Sequence, residues 1–241
     1  MDEQRVKALM STVELISTTL DAVPNSWRDQ LQAIRNTTAS LEFLDTTPDE
    51  TRKAWQIPLI SVFQRIAFVD ADNGGVPDVA NWCLRQALTL LQVYPDNLDL
   101  LTMIGKNWLL RAQKSLAIIH NAERGSSSSG AGSERPLSKS EEERQAARAA
   151  AKAEDQVHTA DYVEARGILL PATEYLKRAV DVARAQGMLT GTLLSTAAEA
   201  FMSLGNVSSI RVNEQYFHEA LAYLRAAGEI PGYGLPAHLQ Q

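Results

Sequence analysis

His120, His158, His218, His238 and Cys83 are the residues with the shortest route to metal or nucleophilic chemistry. Zinc sites draw ligands from close spacings, because neighbouring side chains must converge on one ion. None of the four histidines meets another His or Cys at such a spacing, and His218-Glu219 lacks the second histidine of a zinc-protease helix. They read as surface or structural histidines. Cys83 has no Lys or His beside it in the chain to lower its pKa, and it reads as a small buried hydrophobe. Gly74-Gly75 is not followed by the Gly-Lys-Ser/Thr of a phosphate loop. Gly105-Lys106-Asn107 falls inside a helical pattern, where backbone amides are already engaged. No Gly-x-Ser-x-Gly elbow occurs. These residues assign no catalytic, cofactor-binding or metal-binding role, and the chain is expected not to be an enzyme.

Charge gives one further candidate. Arg144, Arg148 and Lys152 recur at four-residue steps, a basic stripe on one face of a helix. Interleaved Glu141, Glu142, Glu143 and Glu154 dilute it. The whole chain carries 23 basic against 29 acidic residues, a net −6, which disfavours nucleic acid as the main ligand without removing a local basic face. A single cysteine allows no intrachain disulfide and suits a reducing compartment. The first residues, Met-Asp-Glu-Gln-Arg-Val-Lys, hold no apolar signal core, and charged residues break every apolar run well short of a membrane span. The expectation is an intracellular protein, nuclear or cytoplasmic, with no membrane segment.

The elements that would position these side chains are all helices. Val6, Leu9, Val13, Ile16 and Leu20 recur at three- and four-residue steps, the stripe of an amphipathic helix. Pro24-Asn25-Ser26 ends it, and a second helix carries Trp27, Leu31, Ile34, Leu41 and Leu44. Thr47-Pro48-Asp49-Glu50 has the form of a capped start for a third, with Trp55, Leu59, Val62, Phe63 and Ile66. Pro58 predicts a kink or a late start there. A loop from Asp70 to Pro77 leads to a helix over about 78–93, and Asn97 or the residues around it cap another over about 98–121. Residues 124–139 have a flexible Gly/Ser linker composition. Ser140 with Glu143 resembles a capping box opening an Ala/Glu/Arg-rich helix. Pro171 predicts a helix start, Thr190 or Thr192 another, and a last helix is expected over about 213–227. The predicted organisation is N-terminal helical hairpins (1–123), a linker (124–139), C-terminal hairpins (140–231) and an irregular tail (232–241).

Small and bulky residues then recur in a familiar order. Ala172-Leu176-Ala179 and Ala220-Leu224-Ala227 share one spacing, and Cys83-Ala87-Leu90 follows it loosely. Leu101-Ile104-Gly105-Trp108 and Leu194-Ala197-Ala198-Phe201 share another, and Tyr94-Pro95-Asp96-Asn97 stands at the seam between two such stretches. The chain thereby resembles a degenerate tetratricopeptide repeat protein over about half its length, although no two units recur at the family's period of about 34 residues. The resemblance implies an all-α fold of stacked antiparallel helical hairpins, an α-solenoid whose first helices line a groove. It implies a non-enzymatic adaptor or scaffold subunit that binds a protein partner, without cofactor. Thr102, Lys106 and Asn107 fall on or near the groove face by this register, while the other positions of a chaperone-tail clamp find no match. Trp27, Trp55 and Trp82 are candidate anchors whose main reading is core packing. The alternatives are a nucleic-acid accessory factor using Arg144, Arg148 and Lys152, or a small all-α enzyme or ligand carrier with a pocket between helices.

Overall fold

The computed structural model describes residues 3–42, 50–127, 141, 144, 147, 148, 151 and 154–240. Among these, all regular structure is helical: α1 (Glu3–Ala22), α2 (Trp27–Glu42), α3 (Glu50–Ala67), α4 (Pro77–Val93), α5 (Leu98–Ser127), α6 (Ala160–Ala185), α7 (Gly191–Asn206) and α8 (Ile210–Gly228). They form two compact units, Met1–Arg111 and Ala112–Gln241. The predicted capped start at Thr47-Pro48 and the predicted box of Ser140 and Glu143 lie outside the described residues.

In the first unit, the stripe read from α1 is buried at Val13, Ile16 and Leu20. Helices α3 and α4 run antiparallel: Lys53 lies over the Tyr94 ring, Phe63 packs on Trp82, and Val76 donates its N–H to the Ala67 carbonyl. The return is tight enough to require glycine. Gly75 has φ +61°, and a Cβ there would stand 2.2 Å from the Ala67 oxygen. Pro58 does not delay α3, which runs through it from Glu50. Pro58 and Ala54 both face solvent, so the carbonyl that loses its amide donor is on the wet side. The opposite face buries Trp55, Leu59, Ile60 and Phe63 and holds the helix together.

Asn97 caps α5 as its type predicts, its Oδ1 accepting from the Leu100 amide at 2.9 Å. The helix then runs to Ser127, taking in Arg124 and Gly125, which composition had assigned to the linker. One glycine costs a helix only about 1 kcal/mol. Glu123, two residues earlier, is also held in the second unit by the Tyr162 hydroxyl at 2.5 Å. The rest of the predicted linker, 128–139, lies outside the described residues.

In the second unit, α6 corrects a predicted boundary. It is one helix through Gly167 and Pro171, not two. Tyr162, Ala165, Leu169, Ala172, Leu176, Ala179 and Ala183 are buried in an unbroken three- and four-residue rhythm. The carbonyl freed by Pro171 belongs to exposed Gly167, where water can reach it. Thr190 caps α7 through the Leu193 amide. Helix α8 begins at Ile210, earlier than predicted, leaving only residues 207–209 as connection. The short turn is stabilised locally: Ser208 donates its hydroxyl to the Leu204 carbonyl at 2.6 Å, and the Asn213 amide bonds to the Ser209 carbonyl. Phe201 then meets Tyr216 and Tyr223, and the Phe217 ring lies against Gly205, so α7 and α8 form an antiparallel hairpin.

Contacts between alternate helices have a long reach. Arg35 to Asp78, Arg85 to Glu42, and Asn107 to Gln64 each join residues 43 apart, Arg65 to Asp21 joins residues 44 apart, and Gln64 to Met103 joins residues 39 apart. In the second unit, Arg166 reaches the Val207 carbonyl 41 residues on, and Lys177 pairs with Glu219. Helices two apart in the chain therefore run parallel within each unit. Their offset exceeds the roughly 34 residues of a tetratricopeptide unit.

Candidate functional site

Asn107 is not on a surface. It is fully buried, at the junction of α3, α4 and α5. Its Nδ2 donates to Gln64 Oε1 at 2.8 Å and to the Ala80 carbonyl at 3.3 Å, while its Oδ1 accepts from Arg111 Nε at 2.7 Å. Gln64 Nε2 continues the chain to the Met103 carbonyl at 2.9 Å. The reason lies in the register of α5. Leu100, Leu101, Ile104 and Asn107 share the inward face, so an amide that its polarity assigns to the surface becomes the hub of the core. Burial is tolerable because each amide nitrogen and oxygen of Asn107 and Gln64 has at least one hydrogen-bond partner. A partner has no access to Asn107.

Arg111 is the strained member of this cluster. Burial pushes its guanidinium pKa down, and its Nη2 and the indole N–H of Trp82 are buried atoms without a hydrogen-bond partner among the described residues. The Trp108 ring lies 5.5 Å from the guanidinium carbon and supplies a π face. Cys83 provides no compensating thiolate: burial pushes its thiol pKa far up, leaving it protonated and unreactive at neutral pH. Trp27, Trp55 and Trp82 are buried and pack the core.

Thr102 and Lys106 remain half-exposed, one turn apart on α5. Arg144 and Arg148 are helical and exposed, whereas Lys152 lies outside the described residues. Among the described residues, no three or more His, Cys, Asp or Glu side chains group as they would around a metal ion, and no helix is long and apolar enough to cross a membrane.

The most developed contact between a helix face and a non-helical segment joins His238, read from the sequence as a surface or structural histidine, to residues that the sequence did not single out. Gly191, Ser195 and Glu199 stand at four-residue steps on one face of α7, spanning about 12 Å at 1.5 Å per residue. The segment after α8 lies along them. The Tyr233 ring covers Gly191 so closely that a Cβ there would fall 2.2 Å from two ring atoms. The Tyr233 hydroxyl donates to Ser195 Oγ at 2.9 Å, and His238 Nε2 meets Glu199 Oε1 at 2.8 Å. Leu239 is buried at the end of the segment, while Pro231, Gly232, Gly234, Ala237 and His238 stay exposed. Glycine and proline content indicated where helix ends; it said nothing of docking.

This face has a counterpart in α5. Leu194-Ala197-Ala198-Phe201 has the same spacing as Leu101-Ile104-Gly105-Trp108. In that register Ser195 corresponds to Thr102 and Glu199 to Lys106. A different apolar feature lies along α8, where Ile210, Phe217 and Leu221 are 61%, 37% and 41% exposed at helical spacing, the Phe217 ring also touching α7 at Gly205. No family model matches the chain, and neither a curated protein nor a solved structure does.

Proposed function

We propose that the protein is a non-enzymatic adaptor or scaffold subunit that holds an extended segment of a protein partner on its first-helix faces, within stacked, tetratricopeptide-like hairpins of longer period. The observation that carries this reading is the occupied face of α7. The positions equivalent to Thr102 and Lys106 already hold a stretch of the chain after α8 through a hydroxyl, a carboxylate and a glycine-flattened surface. Thr102 and Lys106 present a hydroxyl and a cation at these two positions on α5, with Leu98 where α7 has Gly191, which suits a segment bearing an acidic group. Asn107 takes no part, being buried. The partner is a protein, and the site is intracellular in this reading.

Capture with the tagged full chain, compared with Thr102→Arg/Lys106→Glu, tests it. One stoichiometric partner should be retained by the unmodified chain and lost by the variant, at a melting temperature close to wild type because both side chains are half-exposed. Equal retention by both would overturn the groove reading. Salt-sensitive RNA or DNA binding that disappears on neutralising Arg144, Arg148 and Lys152 would replace it with the nucleic-acid reading.

A further inference from the structure

We infer that the segment Ile230–Gln240 is a displaceable ligand bound in cis, and that the α7 face beneath it is a second peptide site, specific for a segment with a tyrosine followed five residues later by a histidine. The inference rests on the adaptor reading for its purpose but on its own contacts for its geometry. Each element of specificity is on the page. Gly191 leaves the space that the Tyr233 ring fills and that a Cβ would take away, Ser195 accepts the phenolic hydrogen, and Glu199 faces the imidazole. The polar groups of this face suit those partners better than an aliphatic segment, which would leave Ser195 and Glu199 without them.

Displaceability follows from how lightly the segment is held. Only Leu239 is buried, while Tyr233, Leu235 and Pro236 are half-buried and the remaining side chains from Pro231 to Gln240 are exposed. The segment's regular structure is a three-residue turn of helix over Ala237–Leu239, and Gln240 bonds back to the segment's own Leu235 carbonyl. Gly232, at φ +77°, turns the chain out of α8 in a left-handed conformation that favours glycine. Elements with few buried contacts open at free energies far below global unfolding. A site occupied in cis binds a competitor more weakly by the fraction of time it is free.

The test uses the full chain and a labelled synthetic peptide with the sequence of Ile230–Gln240. Tyr233→Ala removes the anchor but leaves the α7 face intact; Tyr233→Ala with Gly191→Val removes the anchor and fills that space. The peptide should bind Tyr233→Ala at least about tenfold more tightly than the unmodified chain, and the double variant should lose that gain. His238→Ala, which removes only the exposed pair with Glu199, should give a smaller gain in the same direction. Equal binding to all variants, or binding to none, would overturn the inference. So would loss of cooperative unfolding in both Tyr233→Ala and His238→Ala, because the segment would then be an integral part of the unit. A concentration-dependent dimer of the unmodified chain that exchanges segments between copies would likewise overturn it in favour of self-association. These outcomes leave the Thr102/Lys106 capture result untouched, so the two readings fail separately.

Discussion

The two units solve the problem of register by opposite means. In Met1–Arg111 the helices are pinned by buried amides, with Asn107 shared by α3, α4 and Arg111. In Ala112–Gln241 the helices are fitted by shape. Ala165, Ala172, Ala179 and Ala183 of α6, Ala197 and Ala198 of α7, and Ala220 and Ala227 of α8 are buried, which lets the backbones approach. A hydrogen-bonded hub punishes the loss of one group severely, because several partners are orphaned together. A close-packed alanine interface punishes addition instead.

The largest effect should come from Asn107→Leu. It orphans Gln64 Oε1 and Arg111 Nε at once, and we expect a loss of about 3 kcal/mol in urea unfolding. All four tryptophans lie in the first unit, so their fluorescence reads that unit's transition. An effect within a few tenths of a kcal/mol would remove the hub from the account. Next comes the reciprocal change in the second unit. Ala198→Leu forces a larger side chain into the α7 core and should lower stability by about 2 kcal/mol, seen in the melting of helical circular dichroism.

A smaller contrast appears at alkaline pH. Burial, and then Glu123, push the Tyr162 phenol up to about 12. Because the folded value is raised, the contribution is fully present below the unfolded value near 10 and fades as pH rises through about 12. The melting temperature should therefore fall between about pH 10 and 12. Tyr162→Phe should flatten that fall while costing the bond to Glu123 at neutral pH. The smallest effect is expected at Arg35, whose bidentate pair with Asp78 is half-exposed on both sides. Arg35→Ala should change stability by less than about 1 kcal/mol, and less still in high salt. A larger change would mean that surface pairing, rather than the amide hub, sets register in the first unit.

Much of the helical framework was legible because it rests on periodicity. The buried residues Val13, Ile16 and Leu20, the Asn97 cap and the Thr190 cap were all visible as residue types at helical spacing. Local breakers misled where tertiary packing outweighed them. Pro58 and Pro171 interrupt one hydrogen bond each on a wet face, while their helices are held from the other side. The buried rhythm from Tyr162 to Ala183 was present in the sequence and crosses Pro171 without a gap. The spacing between helix pairs was hidden by the period sought: contacts 39 to 44 residues apart leave no signal at about 34.

The candidate site was legible only in its register. Thr102 and Lys106 are half-exposed, but Asn107, one residue on, turns into the core. A step of 100° per residue separates the half-exposed face from the core, and residue polarity alone pointed the wrong way. The docked segment was not legible at all. Tyr233 and His238 gain meaning only from Gly191, Ser195 and Glu199, some forty residues earlier in the chain.

The central claim is that the first-helix faces, not the exposed apolar side of α8, hold the partner. A photo-crosslinking phenylalanine analogue placed at Lys106, and in a separate chain at Leu221, tests this in the captured complex. The account predicts a covalent adduct with the partner from position 106 and none from position 221. An adduct from position 221 alone would contradict it and move the interface to Ile210, Phe217 and Leu221.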